Sequence, residues 1–430
     1  VNDKPAIATV PADMKVEPRR VVAGRVSWRN TFAAFRHRNY RLFFTGQLVS
    51  VIGTWMQQVA LGWLVYELSN SAFTLGVVRF LSALPITLLT VVAGAVADRM
   101  EKRRVVVATE SAAMVLAFAL AALVSLGVIQ IWHIALLALL EGITDAFDIP
   151  TRQSFVVEMV GKGDLMNAIA LNSSLFNGAR VFGPALAGML IGVIGVAGCF
   201  WLNGVSYLAV VAAYLAMRLP ARATRAERGP IWQETLDALR YVRGPRVLRA
   251  IIGLIAVVSL FGWPYSVLLP VFARDVLQTG ASGYGFLMAA NGVGALVGAL
   301  TLASLGDAPR KRRLFYGGLF GFCVMLIVFA QSRLYWLSVA ALAGSGFFMI
   351  IFFATANTSV QTHAPDELRG RVMGIYALAF IGLTPFGSLL AGTVARAINV
   401  QFTVTVGALI CIAAGFIVMR LTRPQQKGAV

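Results

Sequence analysis

Residues 94–104 read GAVADRMEKRR, and residues 303–313 read ASLGDAPRKRR. In each stretch an apolar run ends close to an aspartate and gives way to consecutive bases, three in the first and four in the second. At a fixed offset of 209 residues, Asp98 matches Asp307, Lys102-Arg103-Arg104 matches Lys311-Arg312-Arg313, and upstream Gly76 matches Gly285. A second pair, FGPALAG at 182–188 and FGSLLAG at 386–392, shares five of seven residues at an offset of 204. Self-similarity at one long period marks a duplicated unit, so the chain is expected to be two homologous halves.

The composition says what the halves are made of. Of 430 residues, 58% are hydrophobic and only 13% charged, with a mean hydropathy of +0.76. So little polar surface cannot cover a soluble domain. Runs such as 105–128, 247–271 and 402–419 reach the roughly 20 apolar residues that carry a helix across a bilayer. Barrel strands would alternate polar and apolar residues in shorter segments, which these runs do not. The expected spans are 41–66, 72–97, 105–126, 132–149, 165–194, 199–218, 248–271, 283–305, 314–331, 335–357, 371–395 and 402–420. The predicted class is an all-α integral membrane protein of twelve transmembrane helices in two six-helix pseudo-repeats, with a lipid bilayer as its solvent.

A net charge of +18 in a soluble chain would suggest nucleic acid, but here its placement decides. All Lys and Arg except Arg79, Arg180, Arg274, Arg333 and Arg396 fall in the termini or in alternate connections. Cationic loops remain in the cytoplasm, so the bases predict both termini inside a multi-pass protein of the bacterial inner membrane, and no nucleic-acid partner. The predicted organisation is a disordered leader (1–30), a first half (31–218), a linker (219–247), a second half (248–420) and a cytoplasmic tail (421–430). Within the linker, IWQETLDALRYV has the amphipathic pattern of a helix lying on the membrane surface. Cys199, Cys323 and Cys411 fall in separate apolar helices, which indicates neither disulfides nor a metal framework.

These residues resemble the major facilitator superfamily, and within it the enterobactin-exporter-like and macrolide-efflux-like branch. The likeness lies in the two halves, in GAVADRMEKRR and GARVFGPALAG, and in GQLVSVIGTWMQ, FDIPTRQSFVVEMV and ELRGRVMGIY. The superfamily's loop between helices 2 and 3 carries a glycine, an aspartate and arginine, a second glycine and then bases. Gly94, Asp98, Arg99, Lys102, Arg103 and Arg104 fit that pattern, and Glu101 stands where the second glycine is usual. The resemblance implies a cytoplasmic gate in which Asp98 faces the start of helix 11, near Arg371, while Arg99 and Lys102 hold the end of helix 4 at Asp148. It also implies a pivot in helix 5, where Ala179, Gly183, Pro184 and Gly188 give the small-residue spacing of export-type members. Small residues admit close helix approach and the proline bends the helix.

Charges inside spans demand partners. Helix 4 carries Glu141, Asp145 and Asp148 at i, i+4 and i+7, one acidic stripe, and helix 5 carries Arg180 on a face shared with Ser173 and Asn177. Depth counting at about 1.5 Å per residue puts Asp145 and Arg180 level, so Glu141 is expected as a protonation switch with Asp145 and Arg180 as partners; a static charge pair is the alternative. The arginine that the superfamily often places four residues before a glycine in helix 4 is missing: Ala138 precedes Gly142 at that spacing. Arg79 and Arg180 are the intramembrane arginines left to take its role. Gln47, Thr54 and Gln58 recur on one face of helix 1 and, with Asn177, Asn291 and Asn357, are the expected polar lining of a central cavity. Tyr66, Asn203, Trp263 and Tyr265 are further candidates.

Two parallel six-helix repeats form the frame of alternating-access carriers. The expected function is a secondary active transporter, exporting amphipathic drug-like or siderophore-like molecules in exchange for protons and working as a monomer without cofactor or metal. A dedicated siderophore or metabolite exporter, an uptake carrier or facilitator, and a non-transporting receptor on the same fold are the alternatives. The positions of His37, His133 and His363 assemble no nucleophile, base and orienting group, so no enzyme is expected.

Overall fold

The computed structural model describes residues 32–161, 163–218, 245–305, 311–365 and 368–422. The leader, the linker with its amphipathic segment and the tail lie outside these residues, as does Asp307. The helices, in chain order, are α1 (Arg38–Ser69), α2 (Ala72–Arg99), α3 (Lys102–Ser125), α4 (Ile131–Val160), α5 (165–194), α6 (196–215), α7 (Arg246–Val276), α8 (Gly280–Leu305), α9 (Lys311–Gln331), α10 (Tyr335–His363), α11 (Arg369–Ala397) and α12 (Val400–Leu421). The boundary between α5 and α6 is Gly195, whose φ of 71° lies in the region that favours glycine, so an apparently continuous helix doubles back there. Ten segments among the described residues are long and apolar enough to span a membrane, the α5–α6 pair counting as one. The remaining crossing is α4, whose apolar stretch carries Glu141, Asp145 and Asp148.

With an even number of crossings, the described chain begins and ends at the same end of the bundle, here called the basic end; the other is the distal end. Helices pack first within their own half. Gly46 and Gly53 bring α1 against α6, and a Cβ at Gly53 would lie 2.4 Å from Asn203 Oδ1. Gly294 and Gly346 bring α8 against α10 in the same manner, to within backbone contact. In a bilayer, close backbone approach does the work that apolar burial does in water.

The duplicated bases perform one task twice. Arg103, at the start of α3, donates to the carbonyls of Tyr214 (2.9 Å) and Leu215 (2.5 Å) at the C-terminus of α6. Arg312, its repeat mate at the start of α9, donates to Met419 O (3.1 Å) near the C-terminus of α12. A cation at a helix C-terminus meets both unpaired carbonyls and the negative end of the dipole.

Two helices depart from regular α geometry where they approach the centre. α7 passes through π turns at Val258–Gly262 and Phe272–Val276 and a 3-10 turn at Trp263–Leu268, with Pro264 and Pro270 removing backbone donors. α11 has a π turn at Leu378–Gly382 just before Pro385. The α4 span, by contrast, is longer than expected: the helix continues through Pro150 to Val160, beyond the expected end at 149.

Candidate functional site

The halves meet along two crossings at the distal end, and the residues that make them are the ones the duplication pairs. On one side, a Cβ at Gly76 of α2 would lie 2.6 Å from Ser388 O of α11, and one at Gly392 of α11 would lie 2.6 Å from Ala72 O. On the other, a Cβ at Gly285 of α8 would lie 2.5 Å from Pro184 O and 2.6 Å from Gly188 Cα of α5. Gly76 and Gly285 are repeat mates, as are Gly188 and Gly392, so one glycine crossing occurs twice about a pseudo-axis. Phe80 and Phe386 (5.5 Å, edge-on) and Arg396 over Phe73 (5.7 Å) extend the α2–α11 contact. Tyr66 of α1 adds a hydrogen bond to Asp275 of α7, with Arg274 stacked 5.4 Å over the Tyr66 ring. Tyr66 is thus a clasp between halves; it lines a distal cleft and not the central cavity.

The described glycines nearer the basic end make no such crossing: a Cβ on Gly94 of α2, on Gly178 of α5, or on Gly370 or Gly374 of α11 would meet nothing within 4 Å. The close glycine crossings between the halves thus lie towards the distal end.

Of the expected gate, Arg99 is exposed at the end of α2 and Arg371 occupies the first turn of α11. The side chain of Asp98 lies outside the described residues. Lys102 is not paired with Asp148: its Nζ meets Glu158 (3.2 Å) and Ser154 O (3.1 Å). The reason is the length of α4, which runs on to Val160 and places Glu158 ten residues, about 15 Å, beyond Asp148. Asp148 instead accepts from Thr109 (3.0 Å) and pairs with Arg152 (3.3 Å).

That pair belongs to a buried network that the sequence reading missed. Arg152 donates to Gln47 Oε1 (2.9 Å), Gln47 donates to Glu110 (2.9 Å) and Tyr214 (3.1 Å), and Arg152 lies 4.0 Å from Glu110. Gln47, Glu110 and Asp148 are all buried. Gln47 is therefore corrected from cavity lining to a link between α1, α3, α4 and α6. Its spacing with Gln58 was sound, but periodicity fixes a face without saying whether that face meets a cavity or a neighbour's charge. Glu110 is legible in the sequence as the one acid within the apolar run of helix 3, whereas Arg152 lies beyond 149, the expected end of helix 4, in the part of α4 that carries no apolar span signal.

Glu141 has a different setting. Gln57 donates to it (3.2 Å), Asn203 donates to Gln57 (2.8 Å), and Ser206 packs against Asn203 (3.0 Å), a polar chain crossing from α6 through α1 to α4. Asn203 is a buried member of this chain. The cation in electrostatic reach of both Glu141 and Asp145 is Arg79 of α2, joined at Asp145 by Arg152. Arg180 does not join them; equal depth does not fix which way two side chains point, and Arg180 faces the second half near Tyr265. In the helix-5 pivot, Ala179 and Gly183 pack on α1, where a Cβ at Gly183 would lie 2.5 Å from Trp55 Cβ, and Pro184 and Gly188 pack on α8.

Between the halves, beneath the distal closure, lies a cavity of about 180 Å³. Trp55, Gln58, Arg79 and Arg180 line it from the first half, and Trp263, Tyr265, Tyr284 and Asn291 from the second. Of the expected lining, Gln58 and Asn291 are present; Thr54 instead contacts the Tyr207 hydroxyl (3.3 Å), Asn177 donates to Ser173 O (2.8 Å) and Asn357 accepts from Gln361 (2.6 Å).

Comparison with known proteins agrees with this architecture. The staphyloferrin A transporter of Staphylococcus aureus is 26% identical over 390 residues, covering 87% of this chain and 95% of the relative. The multidrug efflux pump Tap of Mycobacterium tuberculosis is 29% identical, covering 88% and 92%, and the enterobactin exporter EntS of Shigella boydii is 23% identical, covering 83% and 85%. Among solved structures, an inward-facing bacterial homologue of the lysosomal transporter Spinster superposes with a TM-score of 0.71 at 13% identity, covering 92% of this chain and 98% of that one. The nucleoside transporter NupG gives 0.71 at 13% identity, covering 90% and 100%. The family model described as transmembrane secretion effector matches residues 29–429. A duplicated, glycine-sealed pair of six-helix halves around a central cavity is thus joined to a match over nearly the whole chain, and the protein belongs to the transmembrane secretion effectors of the major facilitator superfamily.

Proposed function

We propose that this transporter exports amphipathic small molecules from the cytoplasm across a bacterial inner membrane, by alternating access coupled to protons, and that it acts as a monomer. The observation that carries the reading is the central cavity, bounded by both halves and lying beneath their distal glycine crossings. Rocking of the halves about the glycine crossings would present it to the other side. The basic end is assigned to the cytoplasm, with both termini, because cationic connections remain inside. Export and an amphipathic solute are supported by the printed functions of the relatives, two of which are efflux pump and exporter. A siderophore cargo is the second reading, favoured by the staphyloferrin A and enterobactin relatives.

Proton coupling is assigned to the acids of α3 and α4. Glu141 is held by a neutral amide and lies within reach of Arg79, one of the two intramembrane arginines left to take the role of the missing helix-4 arginine. A carboxyl whose neighbouring cation moves between states releases or takes up a proton as it does so. Inside-out vesicles settle coupling and direction together: an imposed proton gradient is expected to drive accumulation of substrate, and an uncoupler to abolish it. Accumulation by Glu141→Gln with undiminished dependence on the gradient would exclude Glu141 as the coupling acid.

A further inference from the structure

The cavity has a charge character that its transport role does not require. Its two ionisable cations are Arg79 and Arg180, and no acidic residue lines it among the described residues. Arg180 is the decisive one. Its Nε and Nη2 are buried without a hydrogen-bond partner, whereas Arg152, in the network one helix away, is met by Gln47, Asp148 and Glu110. Arg79 has Glu141 and Asp145 in electrostatic reach; for Arg180 the neighbouring polar group is the Tyr265 hydroxyl. Buried guanidinium N–H groups left without a partner are costly, and the fold spends a further residue, Asn291, on holding Tyr265 in place (2.8 Å).

The rest of the wall is flat, apolar and fixed. Trp263 is braced edge-on by Phe353 (5.8 Å) and Phe380 (5.6 Å), so its ring is set before any solute arrives. Tyr284 and Met288 continue this surface. The space matches roughly six waters, enough for a ring system with one acidic group, while larger solutes extend towards the basic end.

We propose that the cavity is a binding site for amphipathic organic anions: a carboxylate or similar planar oxyanion pairs with Arg180, and the apolar part of the solute lies against the Trp263–Tyr265 wall. The guanidinium presents a fork of donors that matches a carboxylate. The assignment rests on the transport reading above and narrows it, because a lining whose charged side chains are both arginines rejects the lipophilic cations that an aromatic pocket alone would accept. It also adds a driving force for export: a membrane potential of 100 mV, negative inside, favours an outside-to-inside ratio of roughly 50-fold for a monovalent anion.

The test is direct binding to the full-length protein in lipid nanodiscs, with three probes of one shape: 2-naphthoate, 2-naphthamide and 2-naphthylmethylammonium. The acid is expected to bind at least tenfold more tightly than the amide, and the amine most weakly. Arg180→Gln is expected to lose the preference of acid over amide, Arg180→Lys to retain part of it, and Arg79→Gln to reduce it less than Arg180→Gln. An amine that binds as well as the acid overturns the proposal, as does an acid-to-amide ratio unchanged in Arg180→Gln. The wild-type ranking decides the matter even if the Arg180 variants do not fold. Binding without flux of 2-naphthoate in proteoliposomes would refute the transport reading and leave the anion site; flux without preference for the acid would refute the site alone.

Discussion

Replacing Gly285 by alanine places a methyl group in the tighter of the two distal crossings. The new Cβ would lie 2.5 Å from Pro184 O, 2.6 Å from Gly188 Cα and 2.7 Å from Gly188 N, all backbone atoms of α5. None can rotate away, so α5 and α8 must separate by close to 1 Å to restore contacts of about 3.5 Å. Overpacking of this kind costs about 1–3 kcal/mol. The cost falls only on the state in which the distal crossing is made, and a cost confined to one of two states is a population shift. At 1.4 kcal/mol per tenfold, the balance moves roughly 5- to 150-fold towards the distally open form.

Spin labels at Val128 and Leu334, exposed distal positions in opposite halves, report this equilibrium as an inter-label distance distribution. The three native cysteines are buried and compete little for label. Gly285→Ala is expected to move population to the longer distance, and Gly76→Ala, its repeat mate, to move it the same way. Gly192→Ala is the control, since a Cβ there meets nothing within 4 Å. An unchanged distribution in a well-folded Gly285→Ala protein, or an equal shift in Gly192→Ala, would refute the reasoning.

Tyr66→Phe removes the hydrogen bond to Asp275 across the halves; hydrogen bonds to charged groups contribute about 1.5–3 kcal/mol, so the same label pair is expected to show a shift of at least tenfold towards the distally open form. Arg152→Gln leaves Asp148 and Glu110 buried without their cation and is expected to cost about 3–5 kcal/mol, seen as a large fall in thermal unfolding temperature that Asp148→Asn partly reverses; Glu110→Gln alone is expected to cost less. Arg103→Ala, which loses two carbonyl bonds at the end of α6, is expected to destabilise more than Arg312→Ala, which loses one at an exposed site; equal melting shifts would contradict the capping account.

The architecture was legible because bilayer physics writes it in long apolar runs, and the duplication because residues in equivalent places do equivalent work. Lys102-Arg103-Arg104 announced a side of the membrane, yet that Arg103 caps α6 could be found only from the structure, since α6 lies about 110 residues away in the chain. Gly76 and Gly285 were matched as equivalent, and so were FGPALAG and FGSLLAG. The sequence held no signal that each glycine closes on the mate of the other. Side-chain direction was the least legible property. Gln47 and Gln58 share a face by periodicity, but Gln47 is drawn to Glu110 and Arg152 while Gln58 reaches the cavity. Arg180 and Asp145 share a depth and point apart.

The two kinds of repeated contact divide the labour of the fold. Arg103 on α6 and Arg312 on α12 bind helices within one half, and each survives any motion of one half against the other. The crossings Gly76–Gly392 and Gly188–Gly285 join the halves chiefly by backbone contact, with one neutral side-chain hydrogen bond, from Ser282 to Gly188 O, and no charged group at their closest points. Bare backbone contact gains little from any particular register beyond dispersion, which falls away within an ångström, so it opens without leaving a buried charge behind. The most deeply buried charges are kept inside the first half, in the Glu110–Asp148–Arg152 network, while those between the halves, Asp275 and Arg274 at Tyr66 and Arg396 at Phe73, lie at the distal rim. Substituting a charge-paired contact for either glycine crossing should therefore slow the conformational exchange even where it leaves the populations unchanged, a result that label kinetics would distinguish from the shift expected of Gly285→Ala.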